Sequence, residues 1–434
     1  MAGPVADRRR PDPRPIGPLQ LLALGVNGIV GVGIFYAPAD VAQAVPGWGS
    51  VAVFLLTGLA LLPVALAFGV LGRRFDVDGG PVVYARAAFG ELGAFGVGWI
   101  AYGSAVASTS AVMAGLAASV ATGLGDAGSR LAPTLPALLA TLIAVICAAG
   151  IVISARTWTA LTVAKLLPLA ALAIVFVAGG HVFGGAPSAH AAGAPAWLHA
   201  ALRVIFTYQG FEIVPVLAGQ VRAPERTVPF ATLGSLVTAG ALYVVLQAAC
   251  VATLPGLARS TTPLAEAAAV IGGAGLATVV SWGTTLSALA IGFGMMVATP
   301  RYLAALSTEA GLGLGFQSFS ALGVPLRALA VTWALVVALV SSGSRGELFD
   351  LAGVAVLVQY LATAAALGVL AHRRSAGLGP RHALLAVPAL VVACTLVSGA
   401  SAREWKVAGL AVLLGLVLRA AAVSSRRRGS VPPS

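Results

Sequence analysis

The sequence Gly31-Val32-Gly33-Ile34-Phe35 interrupts an apolar stretch that runs from Leu19 to Ala44 and is long enough to cross a membrane. Two glycines one residue apart cannot both face one neighbouring helix, so close helix packing, which suits Gly25 and Gly28, does not account for this pair. An unpaired backbone group in hydrocarbon costs several kcal/mol, so a helix unwinds there only where the freed groups line a cavity or bind a solute. We therefore predict that the first helix is broken at these glycines.

A second interrupted apolar stretch, Phe206-Thr207-Tyr208-Gln209-Gly210-Phe211-Glu212, follows about five segments later. Broken helices at matching positions of two halves are typical of secondary transporters, in which half-helix ends and bare backbone hold the solute. The pair of interruptions therefore indicates a transporter.

The composition is that of a polytopic all-α membrane protein, since 59% of the 434 residues are hydrophobic and 9% are charged, against about 25% charged in soluble domains. Apolar runs of membrane length predict about twelve transmembrane helices. They lie near residues 19–44, 50–72, 91–122, 134–153, 160–179, 201–219, 229–253, 276–298, 325–342, 348–371, 383–399 and 406–423.

The net charge of +12 comes from arginines dispersed over short loops, a pattern that fits contact with lipid headgroups rather than with nucleic acid. With the N-terminus placed inside, most of the 26 basic residues lie in inside segments. We predict a multi-pass protein of the inner or plasma membrane with both termini in the cytoplasm. Residues 1–18 are expected to form a disordered tail, and residues 424–434 a basic one.

Three motifs in order resemble those of amino acid permeases in the amino acid–polyamine–organocation superfamily. They are Gly-Val-Gly-Ile-Phe in the first segment, Phe-Thr-Tyr-Gln-Gly-Phe-Glu with the following 219–229 in the sixth, and Pro300-Arg301-Tyr302 at the exit of the eighth. The resemblance implies a LeuT-like fold of two inverted five-helix repeats, residues 19–179 and 201–371, with two additional helices in residues 383–423. It also implies a substrate site between the two broken helices.

The backbone at the breaks suits a zwitterion without any charged side chain. The N–H groups of Val32, Gly33 and Ile34, next to Gly31, form a positive nest for a carboxylate. Freed carbonyls of the preceding half-helices suit an ammonium group, and we assign these to Ile29, Phe206, Thr207 and Gln209. The resemblance implies that the Phe206 ring closes over the substrate. The alternative is a phenylalanine that belongs to the core or faces lipid.

Two ionisable residues within the spans are candidates for proton coupling or gating. Glu212 either carries a proton or holds the unwound backbone in shape, and the second role is favoured. Lys165 either reaches the cytoplasmic surface or points inward, where a lysine can alternate between charged and neutral forms. The resemblance implies that a lysine at this place fills the space that a sodium ion occupies in sodium-coupled members of the family, which favours protons over sodium. Ser287 is a candidate to face Lys165.

The remaining polar residues of the spans indicate contacts between helices rather than catalysis or metal binding. We assign the remaining polar residues of the spans to hydrogen bonds between helices, including Asn27, Ser104, Ser108, Thr109, Ser110, Ser281, Thr284 and Thr285. We expect neither an enzyme nor a metal or other cofactor, because no histidine or cysteine pairs with an acid in the spans.

The sequence thus predicts a secondary active transporter of amino acids that works by alternating access, coupled to protons and selective for neutral, apolar substrates. An exchanger, an exporter, a transporter of cationic amino acids or polyamines, and a membrane sensor on the same fold remain alternatives.

Overall fold

The computed structural model describes residues 16–75, 79–150, 155–180, 193–310 and 315–429. Over these ranges the chain is helical without a β-strand, and Ile16 and Val221 form an isolated bridge. Residues 1–15 of the expected N-terminal tail and residues 430–434 of the C-terminal tail lie outside the described ranges. The α-helices are α1 (Pro18–Ile29), α2 (Gly33–Ala44), α3 (Trp48–Gly72), α4 (Pro81–Gly123), α5 (Asp126–Leu131), α6 (Leu135–Ala148), α7 (Ala155–Ala178), α8 (Ala194–Tyr208), α9 (Pro224–Thr253), α10 (Pro263–Ala310), α11 (Leu326–Ser342), α12 (Arg345–His372), α13 (Pro380–Val397) and α14 (Ala402–Gly429).

The fold is that of an all-α polytopic membrane protein, as predicted. Within the described ranges seven helical segments are long and apolar enough to span a membrane, and α1 with α2 forms an eighth, bent span. Three further apolar helices are shorter: Leu135–Ala148, Thr162–Ala178 and Leu326–Ser342. The count of twelve spans stays a prediction. Helix α14 continues to Gly429, into the segment expected to be a tail.

Each half of the chain contains one long helix with a kink near its start. Helix α4 bends at Gly90, where φ is 72°, and α10 bends at Gly273, where φ is 77°. Because residues with a side chain rarely adopt positive φ, glycine permits both bends. The parallel supports two related halves, although the division into inverted repeats remains a prediction.

Both expected helix breaks are present. Helix α1 ends at Ile29 and α2 begins at Gly33, with an angle of 47° between them. Helix α8 ends at Tyr208, and a 3-10 helix, Phe211–Gln220, follows after Gly210, whose φ is 131°. Each break leaves backbone groups without helical partners.

The two breaks touch each other backbone to backbone. A Cβ atom at Gly210 would lie 2.4 Å from the carbonyl carbon of Gly28, and one at Gly28 would lie 3.3 Å from the oxygen of Gly210. Gly25 makes a similar approach to α9, where a Cβ atom would lie 2.7 Å from Ser235. These contacts confirm that Gly25 and Gly28 serve close packing. They also place the two interrupted helices next to each other.

Candidate functional site

A cavity of about 340 Å³ lies where the two breaks meet. Its walls come from both breaks, from one face of α4, and from α10 and α12. Residues at the start of α4 and in the 3-10 helix also line it, so the cavity extends toward the predicted cytoplasmic side. Among the predicted substrate-binding residues, the lining includes Ile29, Gly31, Val32, Gly33, Phe206 and Gln209.

The predicted anion site lies at the start of α2. Val32 is the N-cap, and within the described residues the N–H groups of Val32, Gly33 and Ile34 donate to no backbone carbonyl. Free N–H groups at a helix N-terminus attract an anion such as a carboxylate. The side chain of Ile34 is fully buried and lies outside the cavity wall, so Ile34 contributes its backbone alone.

Gly33 faces the end of α8 rather than open space. A Cβ atom there would lie 2.9 Å from Thr207 Oγ1 and 3.2 Å from Phe206 Cδ1. A bulky residue at this position would therefore push α2 away from α8 before it filled the cavity. Thr207 is buried outside the cavity wall, and its hydroxyl has no hydrogen-bond partner in the part of the chain that the structure describes.

Side chains from α7 and α9 hold the carbonyls at the end of α1. Lys165 Nζ donates to the oxygens of Asn27 at 2.9 Å and Val30 at 2.7 Å. The Tyr243 hydroxyl lies 2.9 Å from the oxygen of Ile29 and 3.2 Å from that of Thr207. A hydroxyl has one proton, so Tyr243 donates to one carbonyl at a time, and each carbonyl keeps a lone pair for a ligand.

Lys165 is 1% exposed and points inward to the break of α1 rather than to the cytoplasmic surface. Ser287, expected to face it, is buried, and its hydroxyl makes no hydrogen bond to any described residue. The pairing of Ser287 with Lys165 therefore stays a prediction.

Phe206 lines one side of the cavity and packs against a residue of α12. Its ring stacks on Phe349 with centroids 4.3 Å apart and an angle of 17° between the rings. Stacked aromatic pairs contribute about 0.5–1.5 kcal/mol beyond the area that they bury. The pair joins α8 to α12 on the predicted outer side of the cavity.

Glu212 organises the second break. Its Oε2 accepts hydrogen bonds from the Gly210 N–H at 2.7 Å and from the Tyr360 hydroxyl at 3.0 Å. The Tyr360 ring packs against Phe68 and Phe211. A carboxylate that accepts a backbone N–H where the helix is unwound favours the structural role over the proton-carrying one.

An outer ion-pair cluster, formed by Asp40, Arg203, Arg345 and Asp350, joins α2, α8 and α12. Arg345 Nη2 lies 3.6 Å from Asp40 Oδ1, and Arg203 Nε lies 3.3 Å from Asp350 Oδ1. The Arg345 guanidinium also lies 4.0 Å above the Tyr36 ring. Both carboxylates are buried. The cluster fastens three helices on the same side of the cavity as the Phe206 pair.

Several residues at the site were missed or underrated in the sequence. The role of Tyr243 could not be identified from the sequence, because it is a single tyrosine in an apolar helix without a motif. Ser104 and Ser108 were assigned to contacts between helices, yet both line the cavity. Thr109 fits that assignment, since its hydroxyl lies 3.2 Å from that of Thr299. In the described ranges, no group of three or more histidine, cysteine or acidic side chains is placed to hold a metal ion.

The sequence is similar to known transport proteins along most of its length. The pattern of a family described as amino acid permease matches residues 16–414. Uncharacterized transporters from Mycobacterium tuberculosis and Mycobacterium bovis are 30% identical over 383 residues, which cover 85% of this chain and 83% of each relative. The serine/threonine exchanger SteT of Bacillus subtilis is 28% identical over 242 residues, 54% of this chain and 53% of SteT.

Proposed function

The chain belongs to the amino acid permease family, and on that premise we propose that it is a proton-coupled secondary transporter of neutral amino acids that works by alternating access. Family membership makes it a membrane transporter rather than an enzyme. We place it in the inner or plasma membrane with cytoplasmic termini, because arginines are concentrated in the predicted inside loops.

The observation that carries the proposal is the cavity between the two breaks, with free N–H groups at the start of α2 and carbonyls at the ends of α1 and α8. These groups match the carboxylate and the ammonium of an amino acid. The cavity wall contains Glu212 as an acid, and Gly210 and Tyr360 already engage its carboxylate. A neutral side chain therefore suits the cavity better than a cationic one.

Proton coupling is proposed from the position of Lys165. Its ammonium group bonds two carbonyls at the break of α1, which is where a bound cation would otherwise satisfy them. A lysine can lose its proton when its surroundings change, whereas an arginine keeps its charge in the working range. Movement of α1 relative to α7 would break both bonds and release the proton.

Closure on the outer side is proposed for the Phe206 pair and the outer ion-pair cluster. Both join α12 to the half-helices of the breaks. Their separation would open the cavity outward, while the end near the start of α4 would close. Alternating access needs such an exchange of open sides.

Uptake of labelled amino acids into proteoliposomes tests the proposal. An imposed proton gradient should drive accumulation with or without Na⁺. Lys165→Ala and Lys165→Arg should each remove the accumulation, whereas Lys406→Ala, which changes the chain's other lysine at an exposed position, should keep it. Strict dependence on Na⁺, or full activity of Lys165→Ala, would contradict the coupling. Binding without any uptake would favour a sensor.

Exchange is the second candidate, because the relative from Bacillus subtilis is named an exchanger. Preloading the proteoliposomes with unlabelled amino acid distinguishes a symporter from an obligate exchanger. A symporter takes up labelled substrate into empty vesicles under a gradient, whereas an obligate exchanger needs unlabelled amino acid inside.

A further inference from the structure

We propose that the transported amino acid has a neutral side chain that forms hydrogen bonds, a hydroxyl or a carboxamide, and that Gln209, Ser108 and Ser104 recognise it. This inference rests on the proposed function. It keeps the neutral side chain that the sequence predicts but replaces the expected apolar character with a group that forms hydrogen bonds.

The first observation is an unpaired amide oxygen on a residue of the cavity wall. Gln209 Nε2 donates to Ser108 Oγ at 2.8 Å, while Gln209 Oε1 is buried without a partner among the described residues. Gln209 stands in the break after α8 and lines the cavity. A buried polar atom without a partner is costly, so a ligand gains affinity when the Gln209 side chain turns this oxygen toward it and the two form a hydrogen bond.

The second observation is a polar strip beside that amide. Ser104 and Ser108 lie one turn apart on α4, and both line the cavity. Ser108 accepts the bond from Gln209, so its own proton stays available, and the Ser104 hydroxyl makes no hydrogen bond over the described ranges. The three side chains thus offer donors and acceptors to one region of the cavity.

The part of the wall next to the two serines is mostly apolar. Ala101, Ala105 and Val112 flank the serines on α4, and Ile291 and Met295 face them from α10. An apolar substrate would fill this space but leave the Gln209 amide oxygen unpaired. A hydroxyl or a carboxamide can both donate and accept, so either group satisfies the strip while its carbon atoms contact the apolar wall.

Matched ligand pairs test the proposal on the purified protein. Threonine and valine have nearly the same shape, as do asparagine and leucine to a lesser degree, and each pair differs in hydrogen bonding. In competition binding we expect threonine or asparagine to bind at least about fivefold more tightly than its apolar counterpart. Equal or tighter binding of both apolar members overturns the inference.

Variants test whether the polar strip formed by Gln209, Ser108 and Ser104 causes this preference. In Gln209→Leu and in Ser108→Ala, the ratio of the affinities for the polar and the apolar member of each pair should fall toward one. Ser110→Ala is the control, because Ser110 is buried on the same helix and donates to the Val106 oxygen outside the cavity wall. A preference that is unchanged in both strip variants contradicts the assignment. If the wild-type protein binds none of the four but takes up another neutral amino acid, this inference fails while the proposed function stands; if it takes up no amino acid, the proposed function fails.

Discussion

Replacing Gly210 with alanine should separate the two helix breaks and weaken substrate binding about 100-fold. The new Cβ atom would lie 2.4 Å from the carbonyl carbon of Gly28, whereas carbon atoms rest about 3.5–4.0 Å apart. The two breaks must then move apart by about 1 Å. A displacement of this size in the binding groups lowers substrate affinity about 100-fold, which corresponds to about 2.8 kcal/mol of binding free energy. The positive φ of 131° adds strain of about 1–3 kcal/mol to the folded state.

Gly273→Ala is the matched control, because Gly273 also has positive φ but no atom within 4 Å of its Cβ position. Both variants should lose about 1–3 kcal/mol of stability from backbone strain. Thermal unfolding in detergent compares their stabilities, and binding of a labelled amino acid compares their affinities. Only Gly210→Ala should lose affinity. If folded Gly210→Ala binds as tightly as Gly273→Ala, the contact between the breaks does not position the binding groups.

Three further predictions concern the other contacts of the site. Phe206→Leu keeps apolar bulk but removes the stack, worth about 0.5–1.5 kcal/mol, so bound substrate should dissociate about 2–10-fold faster; an unchanged dissociation rate would place the ring in the core alone. Glu212→Gln keeps the side-chain volume but replaces charge-assisted hydrogen bonds with weaker neutral ones, so the free energy of unfolding should fall by about 1–2 kcal/mol. If its transport also equals that of wild type at every pH, Glu212 does not carry the proton. Asp40→Asn removes the ion pair with Arg345, so an impermeant thiol reagent added outside should modify a cysteine introduced at Ser104 severalfold faster; equal labelling would refute this.

The breaks could be predicted from the sequence because their cause is local. Two glycines one residue apart in a membrane-length apolar run indicate an unwound segment, since they cannot both pack against one helix. Gly33 and Gly210 both lie where the helices unwind. Glu212 was also identifiable, since an acid in such a run needs a partner. That partner, Tyr360, could not be identified, because it lies on a helix far along the chain.

The wall of the cavity was less predictable because it depends on which face of each helix turns inward. Ser108 and Thr109 are neighbours in sequence, yet one lines the cavity and the other bonds to α10. Tyr243 supports both breaks from α9 through one hydroxyl. A tyrosine in an apolar helix shows no sign of this role until the helices are packed together.

The bonds from Lys165 to the end of α1 have a practical consequence for handling the protein. The cation that holds this break is covalently part of the chain, so dilution or dialysis cannot remove it, and its effective concentration is set by the tether. On the role proposed for Lys165, folding around the break needs no dissolved metal ion. Purification in choline buffer free of sodium and potassium should preserve the break, and crystallisation screens need not be restricted to salts of a particular cation.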